Sequence, residues 1–132
     1  MKKFMASLGV AATLTLAAGS LFAHHGRGAT YDADKEITLT GVVTELAWRN
    51  PHVAIYMDVK GKDGKVVNYA FESSNVSTMS REGWSRNILK PGQEITVTFN
   101  PSRAGAPIGI VRKVTLADGK VIRSQGNANT ID

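Results

Sequence analysis

The stretch that decides the fold is VAIYMDVKGKDGKVVNYAF, which occupies residues 53–71. Strongly hydrophobic residues recur at every second position through 53–59, and 66–71 is a second run rich in β-branched and aromatic residues. Between them, Asp63-Gly64 is one of the strongest short-range signals for a hairpin turn. The sequence therefore predicts two antiparallel strands joined by a tight turn.

Alternating hydrophobicity continues on both sides of this hairpin. Upstream, residues 37–46 predict a long first strand, and Gly41 inside it predicts a bulge or a sharp bend. Downstream, 95–99 predicts a fourth strand, and 110–116 with 121–122 predicts a closing hairpin.

The periodicity changes between residues 72 and 91, where we predict one short helix. One of Ser73, Ser74 and Asn75 can cap its start, and Gly83 is suited to end it. This order predicts a mostly β fold, a small five-stranded OB-like Greek-key barrel with one short helix between strands 3 and 4. A small lipocalin-like barrel or a sandwich is the alternative.

The N-terminus has the pattern of a secretory signal peptide. Lys2 and Lys3 precede an uncharged, Ala- and Leu-rich run over residues 4–18. We expect cleavage after Ala23, with cleavage after Ser20 or retention as a membrane anchor as alternatives. The expected location is therefore periplasmic or secreted, with no transmembrane segment after cleavage.

The remaining chain is long enough for one domain. The expected organisation is a signal peptide at 1–23, an irregular N-terminal arm at 24–35, an OB-like β-barrel domain at 36–124 and a flexible C-terminal tail at 125–132. The chain has no cysteine, which excludes disulfides and thiolate metal sites.

Charge gives little support for a nucleic-acid partner. The formal net charge is +5, and removal of Lys2 and Lys3 with the signal peptide lowers it to +3. Lys60, Lys62 and Lys65 surround the predicted turn and are interpreted as solvated surface charge. We therefore expect no binding to nucleic acid.

Three histidines are the main candidates for chemistry. After cleavage at Ala23, His24 would supply its ring and the free α-amine, with His25 beside it and His52 in the loop after the first strand. Nitrogen ligands of this kind favour copper and then zinc, so the expected cofactor is copper or zinc, if any. The structural alternative is a disordered arm and a turn shaped by His52 and Pro51.

The loop of residues 48–52 is also the predicted ligand-binding loop of an OB-type barrel, together with 101–109. The candidate ligand-binding residues are Trp48, Asn50, His52 and Trp84. The alternative function is a non-metal interaction domain that binds an envelope protein, peptide or glycan on an aromatic face. The side chains that would form this face are Trp48, Tyr56, Tyr69 and Trp84.

Enzyme motifs are not found in the sequence. It has no Gly-x-Ser-x-Gly elbow, no glycine-rich phosphate loop and no cysteine nucleophile. We therefore predict a binding module rather than an enzyme. Met57 and Met79 are candidate soft ligands, but hydrophobic spacing favours the core for both.

Several segments together resemble a known family. They are His24-His25, Tyr31-Asp32-Ala33, Thr38-Leu39-Thr40-Gly41, Trp48-Arg49-Asn50-Pro51-His52, Gly83-Trp84-Ser85-Arg86 and Leu89-Lys90-Pro91-Gly92. The chain thus resembles the DUF6152 family of bacterial exported proteins, which implies export and a single domain but no transferable function. One departure is Gly26-Arg27, where family members tend to have Ser and Phe, and it predicts a looser arm in this chain.

Overall fold

The computed structural model describes residues 27–123. The expected signal peptide, the candidate ligands His24 and His25, and the expected C-terminal tail lie outside the described residues. Within residues 27–123, no helix is long and apolar enough to cross a membrane.

Six strands and two short helices make up the described part of the chain. In chain order they are α1 (Arg27–Thr30), β1 (Ile37–Ala47), β2 (Ala54–Lys60), β3 (Val66–Glu72), α2 (Val76–Arg81), β4 (Glu94–Pro101), β5 (Ile108–Leu116) and β6 (Val121–Arg123). The predicted mostly β chain with a helix between its third and fourth strands is confirmed. The four residues of α1 are an addition, because the sequence there predicts only an irregular arm.

The first five strands close into a barrel. Their order is β3-β2-β1-β4-β5, and β3 pairs with β5 to complete the ring. This closing pair is parallel, with Phe71 opposite Gly109, whereas the other pairs are antiparallel. The short β6 continues the sheet beyond β5 as the second half of the predicted closing hairpin. The architecture is the predicted OB-like Greek-key barrel.

Strand β1 pairs with a different neighbour in each of its halves. Its first half pairs with β4 as far as Val42, and from Val42 onward it pairs with β2. The register shifts between Val43 and Glu45, so the irregularity lies beyond Gly41. Gly41 instead permits close packing, because a Cβ there would collide with the backbone oxygen of Asp58.

The two hairpin turns form as their Asp-Gly pairs predict. In the first, the backbone nitrogen of Gly61 donates to the oxygen of Lys65 at 2.7 Å, and Gly64 has φ 81°. An Asp63 carboxylate oxygen accepts from the Lys65 nitrogen at 3.0 Å. Both local bonds stabilise this hairpin turn. The turn sets the register of β2 against β3.

Helix α2 contributes Met79 to the core. The Asn75 side chain accepts from the Thr78 nitrogen at 2.9 Å and caps the helix. Met79 on this helix is fully buried, and Trp84 follows it into the core. The buried hydrophobic core is formed by Val43, Val53, Ile55, Met57, Phe71, Met79, Trp84, Leu89, Ile95, Val97, Phe99, Val111, Val114 and Ile122.

Candidate functional site

The loop between β1 and β2 is held at the end that leads into β2. Val53, its last residue, is fully buried and donates its backbone N–H to the oxygen of Ser74 at 2.8 Å. The nitrogen of Ser73 donates back to the oxygen of Val53 at 2.8 Å. These bonds fix the backbone next to His52 against the segment that follows β3.

Asn50 joins this loop to helix α2. Its side-chain oxygen accepts from the backbone nitrogen of Val76, the first residue of the helix, at 3.0 Å. The bond satisfies one of the N–H groups that a helix start leaves open. The peptide bond between Asn50 and Pro51 is cis. In the structure, Asn50 therefore links the loop to the start of helix α2.

The two tryptophans have different surroundings. Trp48 is half-buried and packs against the core. Trp84 is only 3% exposed and belongs to the core, so it contributes nothing to the surface of the loop at 48–52. Trp48, Asn50 and His52 therefore share one loop, whereas Trp84 is buried in the core.

The carboxylate of Glu72, the last residue of β3, is the centre of a polar cluster beside this loop. Nδ1 of His52 lies 3.1 Å from its Oε1. Nη2 of Arg27 lies 3.1 Å from the same oxygen, and the Tyr31 hydroxyl donates to Oε2 at 3.2 Å. We call His52, Glu72, Arg27 and Tyr31 the Glu72 cluster.

The Glu72 cluster lies at the surface but is partly shielded. The side chains of Arg27, His52 and Glu72 are 37%, 43% and 27% exposed. Tyr31 is buried. Burial, followed by the charge and the hydrogen bond of Glu72, raises the pKa of Tyr31 from 10.0 to about 12. The hydroxyl is therefore a stable donor to Glu72 at neutral pH.

Arg27 and Tyr31 reach Glu72 because the described part of the arm docks on the barrel. Arg27 also donates to the backbone oxygen of Ser73 at 2.6 Å, and Tyr31 forms an isolated β-bridge with Ser102. Arg103 donates from Nε to the oxygen of Gly28 at 3.1 Å. The arm is therefore not loose from Arg27 onward, although Arg27 is one of the positions that depart from the family pattern.

Glu72, Arg27 and Tyr31 are not among the site residues that the sequence predicts. Only Glu72 could have been found from the sequence. The predicted turn at Asp63-Gly64 sets the register of β2 against β3, which pairs Glu72 with Ala54 and so places it beside the loop before β2. Arg27 and Tyr31 come from the arm, and no local pattern indicates where an arm docks.

The described residues include one of the three candidate histidine ligands, His52. Within residues 27–123, no group of three or more His, Cys, Asp or Glu side chains is arranged to hold a metal ion. His52 and Glu72 form a pair only. Met57 and Met79 are fully buried in the core, as hydrophobic spacing predicts, and do not add a sulfur ligand at the surface.

Three of the four side chains of the predicted aromatic face are half-exposed. They are Trp48, Tyr56 and Tyr69, whereas Trp84 is buried in the core. Tyr69 also packs against the core, with its ring stacked on Phe71 at a centroid distance of 5.7 Å.

Comparisons with known proteins give a fold neighbour and a family. No curated protein sequence matches the chain. Among solved structures, the mitochondrial single-stranded DNA binding protein Rim1 from S. cerevisiae is similar with a TM-score of 0.49 and 8% identity. The similarity covers 63% of this chain and 92% of that one. The sequence profile described as "Family of unknown function (DUF6152)" matches residues 11–112, and the chain therefore belongs to the DUF6152 family.

Proposed function

We propose that the chain is exported and acts as a small periplasmic or secreted module that binds copper or zinc through His24, His25 and His52. The observation that carries this proposal is the meeting of Arg27 and His52 on one oxygen of Glu72. His24 precedes Arg27 by three residues, and three residues span at most about 10 Å. This length limits how far the two terminal histidines can lie from Arg27, which supports the proposal.

The chemistry of the donors favours a nitrogen-bound metal. If cleavage follows Ala23, the α-amine, the ring of His24 or His25, and His52 supply three nitrogens. Such a set suits Cu(II) best among the divalent first-row metals, followed by nickel and zinc. The absence of cysteine from the chain leaves no thiolate that would favour Cu(I).

The proposal is tested by calorimetric titration of the processed protein with Cu(II). We expect one tight site, and His52→Ala should weaken it by at least about tenfold, since the loss of even an outer-shell partner commonly costs that much. Mass spectrometry of the exported protein should show His24 at its N-terminus. Correct processing matters because only then is the α-amine next to the two rings.

Two matched controls separate the folded site from a chelating tail. The peptide His24-His25-Gly26 has the terminal donors without the domain, and a protein that begins at Leu21 has the domain with its amine displaced. Both should bind copper more weakly than the processed protein. If the peptide binds as tightly as the protein, His52 is not a ligand, and the alternative of an envelope domain that binds a protein, peptide or glycan is preferred.

A further inference from the structure

The first part of strand β3 has an open edge in the barrel wall. Every residue of β3 from Val66 to Glu72 pairs with β2, but only residues 70–72 also pair with β5. Within residues 27–123, the segment 66–69 therefore has a neighbouring strand on one side only. Such an edge presents N–H and C=O groups that can pair with another extended chain.

The hydrogen-bond pattern of the hairpin identifies the residues that present these groups. The nitrogen of Gly61 donates to the oxygen of Lys65, so the odd-numbered residues of β3 direct their backbone groups to β2 and the even-numbered residues direct theirs away. The nitrogen of Ala70 accordingly donates to a carbonyl just before β5 at 3.0 Å. Val66 and Asn68 point the same way, and no backbone group in the described part of the chain bonds to them there.

The side chains at this edge include two exposed valines. Val66 is 59% exposed and Val67 is 43% exposed, and the alternation of a strand places them on opposite faces of the sheet. Val67 shares its face with Tyr69, which packs against the core. Natural proteins commonly protect an open edge with charged residues or proline. The segment 66–69 contains neither, so the edge is open to pairing.

The edge is complementary to a second copy of itself. If two copies of β3 run antiparallel about a two-fold axis at Val67, Val66 of each copy lies opposite Asn68 of the other. Both residues direct their backbone groups outward, so each pair can exchange the two hydrogen bonds of an antiparallel ladder. Val67 then lies opposite Val67 of the other copy in a non-hydrogen-bonded pair, the kind in which side chains are closest.

The charges at this edge are compatible with the same register. Lys65 of each copy comes opposite Tyr69 of the other, and an ammonium group is attracted to the face of a tyrosine ring. The Tyr69 side chain is half-exposed and can accept this contact. The Lys65 residues of the two copies are separated along the strands by about 13 Å, which exceeds the screening length of about 8 Å at physiological salt. No like charges therefore face each other.

We propose that the protein associates with a second copy of itself through residues 66–69 of β3, which joins two barrels by a continuous antiparallel sheet. The contact is short, so the dimer is weak and forms in a concentration-dependent way. It involves none of the candidate histidine ligands. Its test is therefore independent of the proposed metal binding.

Sedimentation velocity of the exported protein at increasing concentration measures this association, with a metal chelator in every sample to exclude association through an ion. The wild type should shift from monomer to dimer. Val67→Lys places two ammonium groups opposite each other and should weaken the dimer by at least about tenfold. Val121→Lys is the matched control, since Val121 is 47% exposed and lies on β6, and it should dimerise as the wild type does. Circular dichroism verifies that both variants fold.

Single cysteines test the register, because the chain has no cysteine of its own. Val67→Cys places two thiols at the axis, where the Cα separation of about 4.5 Å permits a disulfide. With oxidised glutathione as the oxidant, this variant should form a disulfide-linked dimer. Val66→Cys should remain largely unlinked although Val66 is more exposed, because the two Val66 residues are at least about 7 Å apart in this register.

Three outcomes would overturn the proposal. The first is a monomer at every concentration, which would leave the edge to an extended segment of another protein. The second is a dimer that Val67→Lys leaves intact, or that Val121→Lys weakens equally, since the contact would then lie elsewhere. The third is equal linkage of Val66→Cys and Val67→Cys, which would indicate random collision or a different register.

Discussion

The phenol of Tyr31 is, with Arg27, one of two contacts between the arm and the carboxylate of Glu72. Tyr31 is 8% exposed, and its hydroxyl donates to Glu72. Ionisation of this phenol would create a second negative charge beside Glu72 in a poorly solvated position. For this reason burial, with the charge of Glu72 added, raises the pKa of Tyr31 to about 12, whereas the nearby Arg27 opposes the shift.

The raised pKa predicts an alkaline loss of stability. Between pH 10 and about 12 the unfolded chain releases the Tyr31 proton, whereas the folded chain retains it. The stability that Tyr31 contributes is therefore fully present below pH 10 and is lost as the pH rises through the pKa of Tyr31 in the folded protein. The loss should be of order 2 kcal/mol. Tyr31→Phe should show a smaller decline in urea-unfolding free energy over this range.

Tyrosinate absorbance provides the direct check on this prediction. The chain has three tyrosines, so a spectrophotometric titration should lose its most alkaline transition in Tyr31→Phe. Tyr56→Phe is the matched control because Tyr56 lies on β2, outside the Glu72 cluster. If Tyr56→Phe removes the last transition instead, the assignment to Tyr31 is wrong.

At the scale of elements, local signals predict most of the structure. Alternation identifies the strands, the Asp-Gly pairs identify two hairpin turns, and Asn75 is one of three residues expected to cap α2. Each of these signals spans only a few neighbouring residues, so it can be identified from the sequence alone. The Glu72 cluster joins residues from positions 27, 31, 52 and 72, and its formation depends on strand register and on docking of the arm. No local pattern contains that information.

The arm is held by the connection between β4 and β5, which leads to a prediction about Arg103. Its Nε donates to the oxygen of Gly28, and its Nη2 lies 3.7 Å from a carboxylate oxygen of Asp32. Arg103→Ala should increase amide hydrogen exchange at Tyr31 and Asp32, whose N–H groups bond to Arg27 and Pro101. Global stability should fall by no more than about 1 kcal/mol, because the ion pair is solvent-exposed.

Exchange measured by mass spectrometry can separate this local effect from general destabilisation. Peptides from β2 and β3 should exchange at the wild-type rate in Arg103→Ala. Arg86→Ala, at an exposed position after α2, should leave the arm unchanged. Equal exchange of the arm in the wild type and in Arg103→Ala would show that backbone pairing alone holds it.

At the scale of the whole molecule, the order of elements predicts the barrel but not every contact that closes it. A helix between the third and fourth strands is typical of the OB-type barrel. The closing pair of β3 with β5 joins residues 70–72 to 108–110, far apart in the chain. It also brings Glu72 to the seam of the barrel. Formation of the Glu72 cluster therefore depends on closure of the barrel.

This coupling predicts that copper stabilises the folded domain only if His52 is a ligand. A chelating tail would bind copper equally well in the folded and unfolded chain and would leave stability unchanged. A site shared between the terminal histidines and His52 exists only when the arm and the barrel are in contact. With free copper about 100-fold above the dissociation constant, the processed protein should gain about 2.7 kcal/mol.

Thermal unfolding of the processed protein with and without Cu(II) measures this gain. For a domain of this size we expect the Tm to rise by roughly 10 to 20 °C. His52→Ala should lose most of the rise, although it retains His24 and His25, because the barrel then supplies no ligand nitrogen. The protein that begins at Leu21 should lose part of it, since its amine is displaced while both rings remain. A full rise in His52→Ala would mean that copper recognises the folded chain elsewhere, and the site at the Glu72 cluster would have to be abandoned.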